Sequence, residues 1–344
     1  MKQSFREFFM EKLLVLMRPE DIDMSAREFL SMYASYMDGA GIVGKDPSGH
    51  ALFESKTAPV EEAHTKFFVE WVDLTQALGI HTAASMDFYT DVWFAKDPKY
   101  QTVTSEGQTM HHQICPNREE FWQYGAEVVK ELGTYPIHEI LLFGTGFIRD
   151  KFCFCERCRS EFAPIIDQEP SRLSYDYIVE NQDHHAKWHE WRSQKVHDGL
   201  RVLQDAATEV DETVDRERPL SIAVEMLMDP ETGLSEGAKN EYGYDYAKIL
   251  EITKNVMINL YPWSPILPVP GQAEYDALVE ALYFTTEFKR RGGTVSLFRW
   301  GLSTIDSVRE MKQIGKDAGI DRFMGTFGYP NDYSVRRESA VGNY

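Results

Sequence analysis

The stretch Leu220-Ser221-Ile222-Ala223-Val224-Glu225, an amphipathic segment over 244–253, and then Asn255-Val256-Met257-Ile258-Asn259-Leu260-Tyr261 decide the fold. Short apolar run, helix, short apolar run is the βαβ unit of a parallel sheet. The same alternation continues outward. Downstream come a helix over 273–290, a strand over 294–299, a helix over 304–318 and a strand over 321–327. Upstream, strands are expected over 12–17, 41–46, 80–87 and 137–143. The helices between them fall over 25–37 with Ser25 as N-cap, 60–78 ending at Gly79, 118–132, 158–165 and 175–210. Eight such units in about 330 residues predict a (β/α)8 TIM barrel with extended loops, a single domain spanning 1–344. The rival, a doubly wound open sheet, usually carries a Gly-rich phosphate turn after an early strand, and no such turn follows the first strand here.

Composition fits that reading. With 43% hydrophobic residues a chain of 344 can bury a core without staples. A formal net charge of −19 repels nucleic acid and anionic membranes, so neither is expected as a partner. No apolar run is long enough to cross a bilayer, and the start Met1-Lys2-Gln3-Ser4-Phe5-Arg6-Glu7 lacks the pattern of a signal peptide. A cytoplasmic location is the resulting expectation.

A barrel of this kind builds its active site where the strands end at the C-terminal face. The strand ends present Arg18 and Glu20, Lys45 and Asp46, Asp87 and Tyr89, then Gly144-Thr145-Gly146 with Arg149 and Asp150 beyond. Further on come Glu225, Tyr261 and Trp263, Arg299 and Trp300, Phe327 and Tyr329. Carboxylates, cations and flat aromatics converging on one mouth suit a carbohydrate: rings stack on sugar faces, and a carboxylate pair supplies acid and base. Glu225 closes an apolar strand, a costly position for a carboxylate unless it is paired or used. The catalytic candidates are Glu225, Asp46 and Asp87. The substrate-binding candidates are Arg18, Lys45, Tyr89, His112, Tyr261, Trp263, Arg299 and Trp300. The alternatives are structural: Glu225 paired with Arg299 or Lys45, Asp46 capping the turn Pro47-Ser48-Gly49, and aromatics plugging the barrel top.

All four cysteines lie in two loops, Cys115 after the third strand and Cys153-Phe154-Cys155-Glu156-Arg157-Cys158 after the fourth. Neighbouring strands bring these loops together, and four thiolates in tetrahedral array make a structural zinc site. Disulfides, free thiols or an iron–sulfur cluster are the competing readings. A closed four-thiolate site has no open position for chemistry.

Cys115, then Cys153, Cys155 and Cys158 followed by Arg159 and Phe162, resembles the zinc cluster of family-42 β-galactosidases. It also resembles a segment of several glycoside hydrolase-like barrel families. Residues 44–56, the turn Ile114-Cys115-Pro116-Asn117 and the run Tyr244-Asp245-Tyr246-Ala247 are similar to the latter. The resemblance implies a barrel scaffold, a metal site, a sugar-like or oligosaccharide substrate and a homo-oligomer. The catalytic residues do not carry over. Family-42 enzymes resemble a clan with glutamates ending the fourth and seventh strands. Here those strands end Phe143-Gly144-Thr145-Gly146 and Phe298-Arg299-Trp300. Gly146 also stands where the hydrolase-like families show an aspartate.

His185 and His189 share a helix face with His184 nearby, but the sequence offers no third metal ligand, so a solvated face is expected. His111 and His112 sit in the loop above the third strand. No phosphate-binding P-loop occurs. Two readings follow: a glycosidase-like enzyme using Glu225 with Asp46 or Asp87, and a barrel that binds carbohydrate without turnover. A weaker third reading makes Lys45 a reactive amine of an aldolase or isomerase.

Overall fold

The computed structural model describes residues 14–19, 22, 24–227, 237–260, 268–302, 305–320 and 322–327. Eight parallel strands close into a barrel in the order β1 (Leu14–Met17), β2 (Gly39–Lys45), β3 (His81–Asp87), β6 (Glu139–Phe143), β7 (Ser221–Leu227), β8 (Asn255–Asn259), β9 (Thr294–Leu302) and β10 (Arg322–Phe327). β10 pairs back onto β1, with Leu14 opposite Met324 and Leu16 opposite Thr326. Thus the (β/α)8 barrel expected from the sequence is the fold observed.

The strands are buried on both faces, which is why they read as near-continuous apolar runs. Residues two apart share a face. Leu14, Leu16, Val43, Ala83, Leu141, Ala223, Met257 and Met324 fill the interior, with Phe143 and Phe298 above them, their ring centroids 5.0 Å apart. Val15, Ile42, Ala84, Ile140, Leu142, Val224, Ile258 and Val295 face outward and join the larger core beneath the helices.

Helices α1 (Ala26–Tyr33), α2 (Glu62–Ala77), α3 (Glu119–Gly133), α4 (Glu156–Phe162), α5 (Tyr175–Val179), α6 (Gln182–Thr213), α7 (Tyr246–Ile252), α8 (Ala273–Leu282), α9 (Phe284–Arg290) and α10 (Ile305–Asp317) surround it. Ser25 caps α1, accepting from the Glu28 amide while Glu28 reaches back to the Ser25 amide. This capping box satisfies two donors that a helix start leaves open.

Three expectations are corrected. The segment above the third strand is not plain loop: β4 (Gln101–Val103) and β5 (Thr109–Ile114) form an antiparallel hairpin there, placing His111 and His112 on a strand. The stretch 175–210 is two helices, because the Asn181 side chain accepts from the Asp183 and His184 amides and starts α6 afresh. The stretch 273–290 is likewise divided at Tyr283. At 32 residues, α6 is about 48 Å long, and its first turns lie against the loop that follows β6.

Candidate functional site

Glu225 continues the inward series of Ala223 on β7, one layer nearer the C-terminal face. It is completely buried. The Gly144 N–H, just past β6, donates to its Oε2 at 2.8 Å. The Asn259 amide, at the end of β8, donates to its Oε1 at 2.6 Å. Gly144 has φ of 65°, a conformation glycine adopts without a Cβ penalty, and this turn presents its N–H to the carboxylate. Asn259 shares the inward face of Met257 and is fully buried. Asp87 ends β3 on the face of Ala83 and Ser85 and is also buried. The structure therefore puts Glu225, Asn259 and Asp87 on the inward faces of three strands at the C-terminal end of the barrel.

The other charged candidates have structural employment. Lys45 is fully buried; its Nζ donates to the Asp87 carbonyl at 2.7 Å and pairs with Asp91 Oδ2 at 2.9 Å. A register shift at Val43/Lys45 separates it from the inward series of β2. Asp91 also caps the turn after it, accepting from the Phe94 amide at 2.7 Å. Asp46 caps the turn that Pro47-Ser48-Gly49 announces: its Oδ1 accepts from Ser48 Oγ at 2.6 Å and the His50 amide at 3.0 Å. Arg299 faces outward because its neighbour Phe298 takes the interior, and it lies 3.9 Å from Glu310 of α10. Burial lowers the pKa of this guanidinium, and the Glu310 charge partly offsets the shift. Of the three cations among the substrate-binding candidates, Lys45 and Arg299 are thus turned to other partners. Arg18 remains half-buried at the end of β1.

Tyr89 lies beneath the hairpin, its hydroxyl 3.1 Å from Thr102 Oγ1, and burial pushes that hydroxyl well above its ordinary range. His112 is half-buried on β5, with its carbonyl accepting from the Asp91 amide. Tyr261, Trp263 and Tyr329 lie outside the described residues. Trp300 lies in β9, and its side chain is likewise outside them.

The Gly146 backbone passes very close to the segment after β7. A Cβ there would lie 2.5 Å from the Tyr242 carbonyl and 2.7 Å from the Tyr244 ring. An aspartate at this position would force the Tyr242 backbone or the Tyr244 ring to shift.

Cys115, Cys153, Cys155 and Cys158 are all buried, and their sulfurs lie within 4.8 Å of one another. Cys115 Sγ is 3.3 Å from Cys158 Sγ and 3.8 Å from Cys155 Sγ. A zinc ion with Zn–S bonds of about 2.3 Å holds its four sulfurs ~3.8 Å apart. All four cysteines are free rather than paired in disulfides. The Val103 and Cys155 amides donate to Cys153 Sγ at 3.3 and 3.4 Å, the kind of support thiolates need. The cluster ties the hairpin above β3 to the loop after β6, and its residues fit a closed four-coordinate metal ion.

Sequence reasoning missed three residues. Asn259 was legible as a polar residue inside an apolar strand. Asp91 left no signal apart from its position four residues past Asp87. Arg192 is fully buried in α6, and its guanidinium donates to the carbonyls of Arg149, Asn240 and Glu241 and to Asp150. The expectation of a solvated His185/His189 face is corrected as well: Asp150 meets both imidazoles, and His189 is largely buried.

No protein-family model matches the chain, and no curated protein does either. Solved structures do match. The PgaB (BpsB) glycoside hydrolase domain from Bordetella bronchiseptica aligns with a TM-score of 0.67 over 96% of this chain and 97% of that one, at 12% identity. The catalytic domain of β-amylase from Paenibacillus polymyxa aligns with a TM-score of 0.63 over 96% and 97%, at 9% identity. The chain has a glycoside hydrolase-like TIM-barrel fold. Among the described residues no helix is long and apolar enough to cross a membrane.

Proposed function

We propose that this protein is a glycoside hydrolase-like enzyme acting on a glycosidic bond or a sugar-like substrate, with Glu225 as its principal acid/base group. The observation that carries this reading is a buried carboxylate at the C-terminal end of a barrel strand, aimed inward and held by the Gly144 N–H and the Asn259 amide. Such donors fix a carboxylate's orientation, which an acid/base group requires before its proton transfer is productive. Asp87, inward on β3, is the partner carboxylate in this proposal. Asp46 is set aside, because Ser48 and His50 already use its carboxylate.

With acid and base on different strands and no carboxylate ending β6, an inverting displacement by water is the mechanism proposed; it needs carboxyl groups roughly 6.5–9.5 Å apart. Zinc in the four-cysteine cluster is part of the proposal and has a structural role, since four thiolates leave no coordination position for substrate.

The alternative, a barrel that binds carbohydrate without turning it over, draws on the complete burial of Glu225. One experiment separates the two. Purified protein is screened against neutral and acidic glycosides beside Glu225→Gln, with metal content and circular dichroism as controls. Turnover that Glu225→Gln abolishes in a folded, metal-replete variant supports the enzyme. Sugar binding by calorimetry without turnover on any glycoside supports the binding protein. Turnover indifferent to the substitution removes Glu225 from the mechanism.

A further inference from the structure

A second group of metal-ligating side chains lies outside the barrel mouth and outside the cysteine cluster. His185 and His189 are four residues apart on α6, so both imidazoles leave the same face. Their ring centroids are 4.1 Å apart. The loop after β6 brings Asp150 between them: His185 Nε2 is 2.7 Å from Asp150 Oδ2, and His189 Nε2 is 3.1 Å from Oδ1. The three donor atoms lie within 4.8 Å of one another. An ion bonded to nitrogen and oxygen at about 2.0–2.2 Å needs donors ~3.0–3.5 Å apart. The His189 contact already has that spacing, the His185 contact falls a few tenths of an ångström short of it, and every donor separation is within 4.8 Å.

The surroundings already resemble an outer shell. Tyr175 Oη donates to Asp150 Oδ2 at 2.6 Å, and Arg192 Nη1 to Oδ1 at 3.2 Å. Trp188 Nε1 donates to the Asp150 carbonyl at 3.0 Å and fixes the loop. Hydrogen bonds of this kind orient a ligand carboxylate. The His185 side chain is 31% exposed, so an ion enters from solvent without opening the core.

The donor set also selects the ion. Magnesium and calcium need mostly oxygen ligands, whereas two imidazoles suit zinc, cobalt or nickel. Here one carboxylate is available, and it is shared with Arg192, so nitrogen supplies most of the binding.

We propose that Asp150, His185 and His189 form a second metal site, distinct from the four-cysteine cluster, that takes a divalent transition ion such as zinc or cobalt and ties the loop after β6 to α6. With three protein donors, a coordination position stays open to water.

The test titrates chelator-treated full-length protein with Co2+ under reducing conditions, following visible absorption and bound metal per chain. Beyond the cobalt bound by thiolates, the wild type should take up one further equivalent with weak d–d bands and no added thiolate charge transfer. The double variant His185→Gln/His189→Gln should lose that equivalent while thiolate-to-cobalt bands stay unchanged. Equal uptake and equal spectra in both proteins, or no wild-type uptake outside the thiolate bands, overturns the proposal. Circular dichroism checks that the double variant folds. If it does not, His185→Gln alone carries the test. That variant should bind the second equivalent at least about tenfold more weakly, since even outer-shell partners are worth 10–100-fold, and an unchanged affinity overturns the site.

Discussion

Two buried glutamates on adjacent strands make an instructive pair. Glu139 begins β6 at the N-terminal end of the barrel and is 1% exposed; Glu225 sits at the other end, on β7, and is 0% exposed. Glu139 pairs with the guanidinium of Arg322, across the barrel on β10, and with His81 Nε2 at 3.4 Å. Glu225 takes a backbone amide and a side-chain amide. Burial pushes Glu139 up, but the His81 hydrogen bond and the Arg322 charge and hydrogen bond outweigh it and hold the carboxyl below its ordinary value. A carboxylate locked to a guanidinium across the barrel serves the barrel's closure. One held by two N–H dipoles has its position fixed without a charged partner among those contacts.

The largest effect expected from this contrast is on turnover. Glu225→Gln should lower kcat by about 10²–10⁴-fold, the usual weight of a positioned acid or base, with little change in Tm, as paired kinetic and melting measurements would read. Glu139→Gln should do the reverse. It should cost about 3 kcal/mol in urea unfolding, the lower end for breaking a buried pair, because Arg322 keeps 26% of its side-chain surface in water. Catalysis by the folded fraction should be unaffected. A Glu139→Gln variant that melts like wild type would erase the distinction between the two ends.

The pH dependence sharpens the contrast further. Since the folded pKa of Glu139 is lowered, its stabilisation is fully present above the unfolded value of about 4.3 and is lost as pH falls through the folded one. The stability gap between wild type and Glu139→Gln should therefore close as pH falls below the unfolded value. Unfolding midpoints measured along a pH series check this. The smallest effect belongs to His81→Gln, expected to cost under ~1 kcal/mol because the side chain is 34% exposed. A larger loss would mean that its stacking on His138, 5.1 Å away, matters more than the ion pair.

The barrel was legible because parallel strands buried on both faces leave unbroken apolar runs, and all eight could be found within a few residues. The hairpin β4–β5 was not. Its strand Thr109–Ile114 carries two histidines and a glutamine, and its pairing partner is only three residues long. Glu225 and the cysteine cluster stood out as a charge in an apolar strand and as thiols at metal-ligand spacing. The uses of Lys45, Asp46 and Arg299 were not decided by sequence. Each depends on which way a strand end turns: the shift at Val43/Lys45, the turn after Asp46, and Phe298 taking the interior. Asp150 was underrated because its partners come from α6, 35 to 42 residues further along the chain.

Arg192 carries a consequence for the order of assembly. Its guanidinium holds the loop after β6 at Arg149 and the segment after β7 at Asn240 and Glu241, contacts spanning 43 to 49 residues of sequence. Neither segment gains that anchor until α6 has docked. Two loops bordering the mouth therefore acquire their shape from a helix outside it. Amide exchange in both should follow the opening of α6 as one cooperative unit rather than two local events.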